Sequence, residues 1–421
     1  MFFLQKIAAS GTLIGLIAYV FTGISILFFS AGLELFVDRS AATEFLNYYA
    51  IVGFLSYVAS FGQQFNLLRV GSEEKKKLKK TGTFSTPVFE KVALVGGFQF
   101  LLSPLIFGLI YHLLHGGDVF KESFFLALAV ILQSQVRIFS QFLIGTGQFE
   151  IVAKAQIIRA LSIIVLGFIG IRLEFETFDL ASLFLFSEAF TVCWLIWANW
   201  KRFQIIIFPR LTIKNYNIFD NVSLMIGDVT YEFGPKIQII LASYFLTTEK
   251  QHLLVYSFLA VEIFIQVAMV FRNKFNSVFE RFAANTEATH AAFRVDFLRA
   301  YRLALLGLIA LATISLLVSF VTHHITRSQF LLLLCFLGLL YALYFSNRFL
   351  LLTNVLILHG RNWDYFRVNA STLTFNFGSW IVLLPIFGVF TPVISFGLTV
   401  ALNVFIQGRL IRKANLAFDF G

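Results

Sequence analysis

The sequence predicts an all-α integral membrane protein with about twelve spanning helices, and three observations carry the prediction. Only 13% of the 421 residues are charged while 58% are hydrophobic, against about 25% charged in a soluble globular domain. The mean hydropathy is +0.81, so folding in water would leave more apolar surface than polar residues could cover. The apolar residues form continuous runs, each near the roughly 20 residues needed to cross a bilayer as a helix. They lack the ten-residue alternation of a membrane β-barrel.

The runs fall at about 9–30, 45–68, 92–114, 122–145, 151–171, 178–200, 220–246, 252–272, 300–321, 329–356, 367–386 and 392–411. The first reads as a span rather than a signal peptide, because it is longer than a secretory core and no small-residue cleavage site follows. The boundaries between spans 3 and 4, 7 and 8, and 11 and 12 are the weakest. The last rests on Phe387-Gly388-Val389-Phe390-Thr391-Pro392 alone.

Lysine and arginine concentrate on one side, as the positive-inside rule requires. With the N-terminus inside, inner segments hold 25 of the 33, including Lys6, the stretch Arg69 to Lys91, Lys154, Arg159, and the group Lys201, Arg202, Arg210 and Lys214. Outer loops hold Arg39, Lys121, Arg172, Lys250 and Arg327. Both termini are therefore expected in the cytoplasm. The excess of ten positive charges then reads as cytoplasmic loops rather than a nucleic-acid surface. Cys193 and Cys335 lie inside apolar runs, so no disulfide framework is expected.

Twelve spans invite a search for a repeat of six. After span 4 the chain reads Gly147-Gln148-Phe149-Glu150 and on to Lys154; after span 10 it reads Gly360-Arg361-Asn362-Trp363 and on to Arg367. The expected organisation is a six-helix bundle over 1–200, a basic linker at 201–219 and a second bundle over 220–421.

Ionisable residues far from a span end face a cavity or a partner, since each costs about 2.5–3.5 kcal/mol at a helix centre. Arg137 lies midway along span 4 with Gln133 and Gln141 at i−4 and i+4, a single polar stripe. Arg348 lies in span 10. Span 7 carries Asp228, Glu232 and Lys236 on one face, interrupted by Gly234-Pro235. Glu188 in span 6, Glu262 in span 8, and the milder stripe Asn369, Thr372 and Asn376 in span 11 complete the set.

Each has a structural reading beside the functional one. Asp228, Glu232 and Lys236 would also serve as a self-neutralising network, and Arg137 and Arg348 as halves of salt bridges with Glu188 or Glu262. The Asn and Gln stripes would serve as hydrogen-bonded helix contacts. On the functional side, two arginines in opposite halves suit one anionic ligand between them, because a guanidinium fork binds two phosphate oxygens. The carboxylates Asp228, Glu232, Glu262 and Glu188 are the candidates for ion coupling.

Four stretches carry a family resemblance: Ala59-Ser60-Phe61-Gly62-Gln63-Gln64-Phe65-Asn66-Leu67-Leu68-Arg69; Gly145-Thr146-Gly147 through Gln156 to Arg159-Ala160-Leu161; Lys236 through Tyr244-Phe245-Leu246 to Tyr256-Ser257; and Leu384-Pro385-Ile386-Phe387-Gly388-Val389. In these the chain resembles an O-antigen (Wzx-type) polysaccharide flippase of the multidrug/oligosaccharidyl-lipid/polysaccharide (MOP) exporter superfamily. Gln238 stands where that family often has an acidic residue beside a base.

The resemblance implies two six-helix bundles around a central cavity in the bacterial inner membrane. It implies flipping of an undecaprenyl-pyrophosphate-linked oligosaccharide by alternating access, with a polysaccharide polymerase and a chain-length regulator as partners. On that reading Arg137 and Arg348, with Lys236 and Arg69, hold the pyrophosphate beside Gln133 and Gln141.

No phosphate-binding loop, metal-site spacing or nucleophile triad is present, and no soluble segment is long enough for a catalytic domain. No enzyme activity, cofactor, metal or nucleic-acid partner is therefore expected. An ion-coupled drug antiporter of the same fold is the competing reading. A membrane polysaccharide polymerase is a weaker one, because the outer loops are short.

Overall fold

The computed structural model describes residues 12–64, 66–68, 70–71, 75, 82, 96–114, 119–173, 177–200, 223–227, 238–239, 241, 245, 254, 270, 302–303, 305–307, 309–310, 313–314, 317, 321, 356 and 361–413. All regular structure among them is helical. The chain divides into two units, Met1–Val229 and Thr230–Gly421. The expected linker at 201–219 lies outside the described residues, as do spans 8 and 10 apart from isolated positions.

In the first unit, helix α1 (Thr12–Phe36) is followed after a single turn by α2 (Arg39–Ala59). Asp38 sets that restart: its backbone is extended, and its Oδ1 accepts from the Ala41 amide at 2.7 Å, satisfying one of the free N–H groups of a helix start. Span 2 was expected as one run over 45–68. Instead α2 begins six residues earlier and stops at Ala59, where Phe61 and Gly62 have φ of 50° and 68°. The Gln63 amide turns back to Ser60 O at 2.9 Å, so Ala59 O loses its helical donor, and Gln99 Nε2 fills the gap at 2.6 Å. Helix resumes at Gln63. An internal capping bond of this kind is what permits a broken helix inside a membrane.

Span 3 is interrupted at Leu102 for a related reason. Residues 96–101 are helical, and α3 (Ser103–Leu113) has Pro104 in its first turn. Proline brings no N–H for Phe100 O, and Ser103 Oγ donates to that carbonyl at 2.7 Å instead.

Helices α4 (Phe120–Gly145) and α5 (Phe149–Arg172) are joined by a turn that the sequence spells out. Gly147 N bonds Ile144 O at 2.9 Å and Gln148 N bonds Leu143 O at 2.8 Å, the paired bonds of a Schellman stop. Gly147 sits at φ 85°, where a side chain would be strained.

Helix α6 (Thr177–Asn199) completes the unit. It packs against α4 and α5, while α1 packs against α5. Aromatic rings knit this core: Phe29 meets Phe45 edge-on at 4.8 Å, and Phe45 stacks on Phe184 at 5.1 Å. The fit depends on Gly167 of α5, because any Cβ there would overlap the Phe29 ring.

In the second unit, α7 (Asn362–Phe387) and α8 (Thr391–Lys413) form an antiparallel hairpin through the 3-10 turn Gly388–Phe390. The doubtful boundary between spans 11 and 12 is thus a real reversal. Five stretches among the described residues are long and apolar enough to cross a membrane: Ile17–Phe36, Phe120–Gly145, Phe149–Arg172, Leu180–Asn199 and the run Asn362–Lys413 that contains this hairpin.

Candidate functional site

Four helices of the first unit bring polar side chains to one level. Measured at 1.5 Å per residue from the ends where α4 and α6 stop and α5 starts, Arg137, Arg159, Glu188 and Gln133 lie about 12–18 Å in. That is near the middle of a hydrocarbon core about 30 Å thick.

Arg137 of α4 is held from two sides by α2. Its Nε donates to Ser56 Oγ at 2.8 Å, and its guanidinium lies over the Tyr57 ring at 3.5 Å from the centroid. A cation over an aromatic face is held by the ring quadrupole, and guanidinium prefers this flat arrangement. Ser56 Oγ donates to Gly53 O at 2.8 Å.

Gln133 lies one turn away. In the amide orientation that satisfies both its groups, it donates to Val52 O at 3.0 Å and Ser56 Oγ at 2.9 Å and accepts from Arg159 Nη2. Arg159 in turn pairs with Glu188 at 2.5 Å. The chain of contacts therefore runs Arg137–Ser56–Gln133–Arg159–Glu188, across α2, α4, α5 and α6. Glu188 is fully buried and Arg159 nearly so, at 0% and 12% side-chain exposure, and Arg137 also lies within electrostatic reach of Glu188.

Two guanidiniums thus face one carboxylate, leaving one positive charge in excess. Buried charges need partners, and this set neutralises all but one of them.

The polar stripe expected on span 4 is only partly assembled. Gln133 and Arg137 share Ser56, whereas Gln141 Oε1 has no hydrogen-bond partner among the described residues. Arg159 was counted with the inner loops and stands corrected: it is the eleventh residue of α5, in the ion pair with Glu188. Nothing in the sequence marks it, because its partner comes from another helix 29 residues on. The expected salt bridge of Glu188 exists, with Arg159 as its partner. Arg69, Lys236, Arg348, Asp228, Glu232 and Glu262 lie outside the described residues.

Two acidic residues escaped the sequence reading. Glu44 accepts from Tyr48 at 2.6 Å, and Glu122, at 7% exposure, lies within electrostatic reach of both. Glu122 sits in the first turn of α4 and Glu44 in the second turn of α2, where a charge reads as a span end.

In the second unit, the stripe Asn369, Thr372 and Asn376 is turned onto α8. Asn403 donates to Asn369 at 3.2 Å, and Asn376 donates to Thr399 at 3.1 Å. Gln238 donates to Asn376 at 3.1 Å and accepts from the Trp380 indole at 2.5 Å. These are helix-to-helix bonds of the kind that hold membrane bundles. Among the described residues no group of His, Cys, Asp and Glu could hold a metal ion.

No protein-family model matches the chain, and none of the curated proteins matches it. Solved structures do. The MATE multidrug transporter DinF-BH superposes with a TM-score of 0.75 at 11% identity, covering 98% of this chain and 96% of that one. An outward-facing multidrug resistance MATE transporter of the MOP superfamily gives 0.68 at 14%, covering 97% and 96%. A mutant of the Vibrio cholerae MATE transporter VcmN gives 0.66 at 11%, covering all of both chains. Identities this low speak to the fold alone. The chain has the all-helical fold of these solved MATE transporters.

Proposed function

We propose that this chain is an alternating-access membrane transporter. The supporting observation is the end-to-end likeness to solved MATE transporters, over 97–100% of the chain in those compared.

Two cargo readings rest on different observations. The similar structures are described as multidrug transporters, so the comparisons favour an ion-coupled drug antiporter. The residues favour an anionic cargo: among the described groups at mid-membrane, Arg137 and Arg159 outnumber Glu188. A lipid-linked oligosaccharide, joined through a pyrophosphate, is the anionic cargo that the motif resemblance suggests. On this reading Arg137 contributes to the pyrophosphate site, and a polymerase takes the product on the far side.

The deciding experiment is deletion in the native host, with extraction of polyprenyl-linked saccharides and a drug-susceptibility panel. Complete repeat units accumulating on the carrier, with surface polymer lost, establish the flippase reading, and Arg137→Ala then fails to complement at normal expression. An unchanged lipid pool with raised drug sensitivity establishes the antiporter. Neither change would refute both cargoes.

A further inference from the structure

Span 2 holds a choice between two hydrogen-bond donors at one carbonyl. At its break the helix tightens into i→i+3 bonds: Ser60 N to Tyr57 O at 3.2 Å, Phe61 N to Val58 O at 3.2 Å and Gln63 N to Ser60 O at 2.9 Å. A stretch of 3-10 geometry inside a helix often marks a hinge. Phe61 and Gly62 take the left-handed region, at φ of 50° and 68°, and for phenylalanine that conformation is strained. The break begins on the turn that grips Arg137. Tyr57, whose carbonyl receives the first of these bonds, also lies under the guanidinium.

The carbonyl is Ala59 O. In an unbroken helix it accepts from the amide four residues on, at Gln63. Here it accepts from Gln99 Nε2 at 2.6 Å. Gln99 is fully buried and is held in place from α4: its Nε2 also donates to Ser134 Oγ at 2.6 Å, and its Oε1 accepts from Gln135 Nε2 at 2.5 Å. Beyond the break, the inner half of span 2 lies against the turn between α4 and α5. A Cβ added at Gly71 would overlap Phe142 O, and the Lys75 side chain lies beside Gly147.

We propose that span 2 is a two-state element of the transport cycle, in which Gln99 Nε2 and the Gln63 amide exchange places at Ala59 O. In the broken state seen here, Gln99 holds the carbonyl and the inner half of the span rests on the α4–α5 turn. In the other state Phe61 and Gly62 return to helical geometry and Gln63 N–H takes the carbonyl. Gln99 keeps Ser134 and Gln135, and the inner half swings away from the turn. Leaving Ala59 O costs Gln99 one hydrogen bond, and relaxing Phe61 returns strain of similar size, so neither state is locked. The carbonyl has a donor in both, as a helix inside a membrane requires. The inference rests on the alternating-access reading, which needs elements with two discrete arrangements.

The test is double electron–electron resonance on the purified full-length protein, which reads the two states as two distances. Spin labels go on Val70→Cys, in the inner half of span 2, and Ile196→Cys, near the inner end of α6, with Cys193→Ser and Cys335→Ala removing the native thiols. Gly62→Ala penalises the left-handed backbone and should shift the ratio about tenfold toward the continuous helix. Gln99→Leu removes the donor that only the broken state uses at Ala59 O, and should shift it about tenfold the same way. Phe61→Gly relieves the strain and should shift it about tenfold in the opposite direction; a merely damaged span would not respond both ways. The wild-type distance persisting alone in the double variant of Gly62→Ala with Gln99→Leu would overturn the proposal. So would a double variant that shifts the distances yet restores the deletion strain as well as wild type does. The distances are read without cargo, so they hold or fail apart from the transport reading, which the deletion phenotypes decide.

Discussion

Replacing Glu188 by glutamine should destabilise the first unit more than any other single substitution in the polar cluster. The carboxylate is fully buried against Arg159 and within electrostatic reach of Arg137. Its neutral isostere leaves two guanidiniums at mid-membrane with no counter-charge among the described residues nearby. One uncompensated arginine at a helix centre costs about 2.5–3.5 kcal/mol on insertion scales, and removing one partner of a buried pair costs about 3–5 kcal/mol. Arg159 keeps its bond to Gln133, so the lower end applies. The expected loss is about 3 kcal/mol, on the order of a hundredfold in the unfolding equilibrium. The double variant Arg159→Met with Glu188→Leu removes both charges and fills the space with apolar atoms, and such exchanges are often neutral. It should recover most of the loss. Denaturant unfolding in mixed micelles, run on Glu188→Gln and as a double-mutant cycle of Arg159→Met and Glu188→Leu, measures both numbers. A single variant within about 0.5 kcal/mol of wild type, the range of an inert surface change, would refute the reasoning. So would a double variant that is no better than the sum of the singles.

Gly167→Ala should cost about 1–3 kcal/mol by overpacking, because its Cβ runs into the Phe29 ring and that ring is locked against Phe45. Gly378→Ala in α7, with nothing within 4 Å of the added carbon, should be neutral or stabilising; thermal melting of the two variants side by side checks the contrast. Trp380→Phe removes the donor to Gln238 and should lower the stability of the second unit by about 1 kcal/mol, read from the same unfolding curves. Arg137→Lys keeps the charge but loses the Nε bond to Ser56 and the flat stack on Tyr57. Transport rate at equal expression should fall to a level between wild type and Arg137→Ala, and full activity would show that charge alone suffices.

Much of this architecture is legible in the chain. Helices α4, α5 and α6 fall within a few residues of the apolar runs at 122–145, 151–171 and 178–200, because a hydrocarbon environment demands an internally bonded helix of fixed length. Gly145-Thr146-Gly147 announces its turn, since a Schellman stop needs a residue that tolerates positive φ. The break after Ala59 is harder to read. Ser60-Phe61-Gly62 is a modest helix-breaking signal, and the break is sustained by Gln99, 40 residues away in sequence.

The candidate site divides along the same line. Arg137 and Glu188 stand out by themselves, because a charge deep in an apolar run has no cheap alternative to a partner. Which partner it takes is another matter. The sequence offered Glu188 to either of two arginines, and the packing of α5 against α6 gave it Arg159, a residue that counting by loops had placed at the membrane surface. Gln238 shows the same limit: the sequence marks only a missing acid, whereas the fold seats its amide between Asn376 and Trp380. The sequence by itself determined the all-helical class, the extents of spans 4, 5 and 6 to within a few residues, and the rare charges that must be satisfied. Those follow from the short-range demands of hydrocarbon on each segment of chain. Only the tertiary structure decided which helix satisfies which charge, because that depends on the rotation and neighbours of each helix, and no single span encodes either.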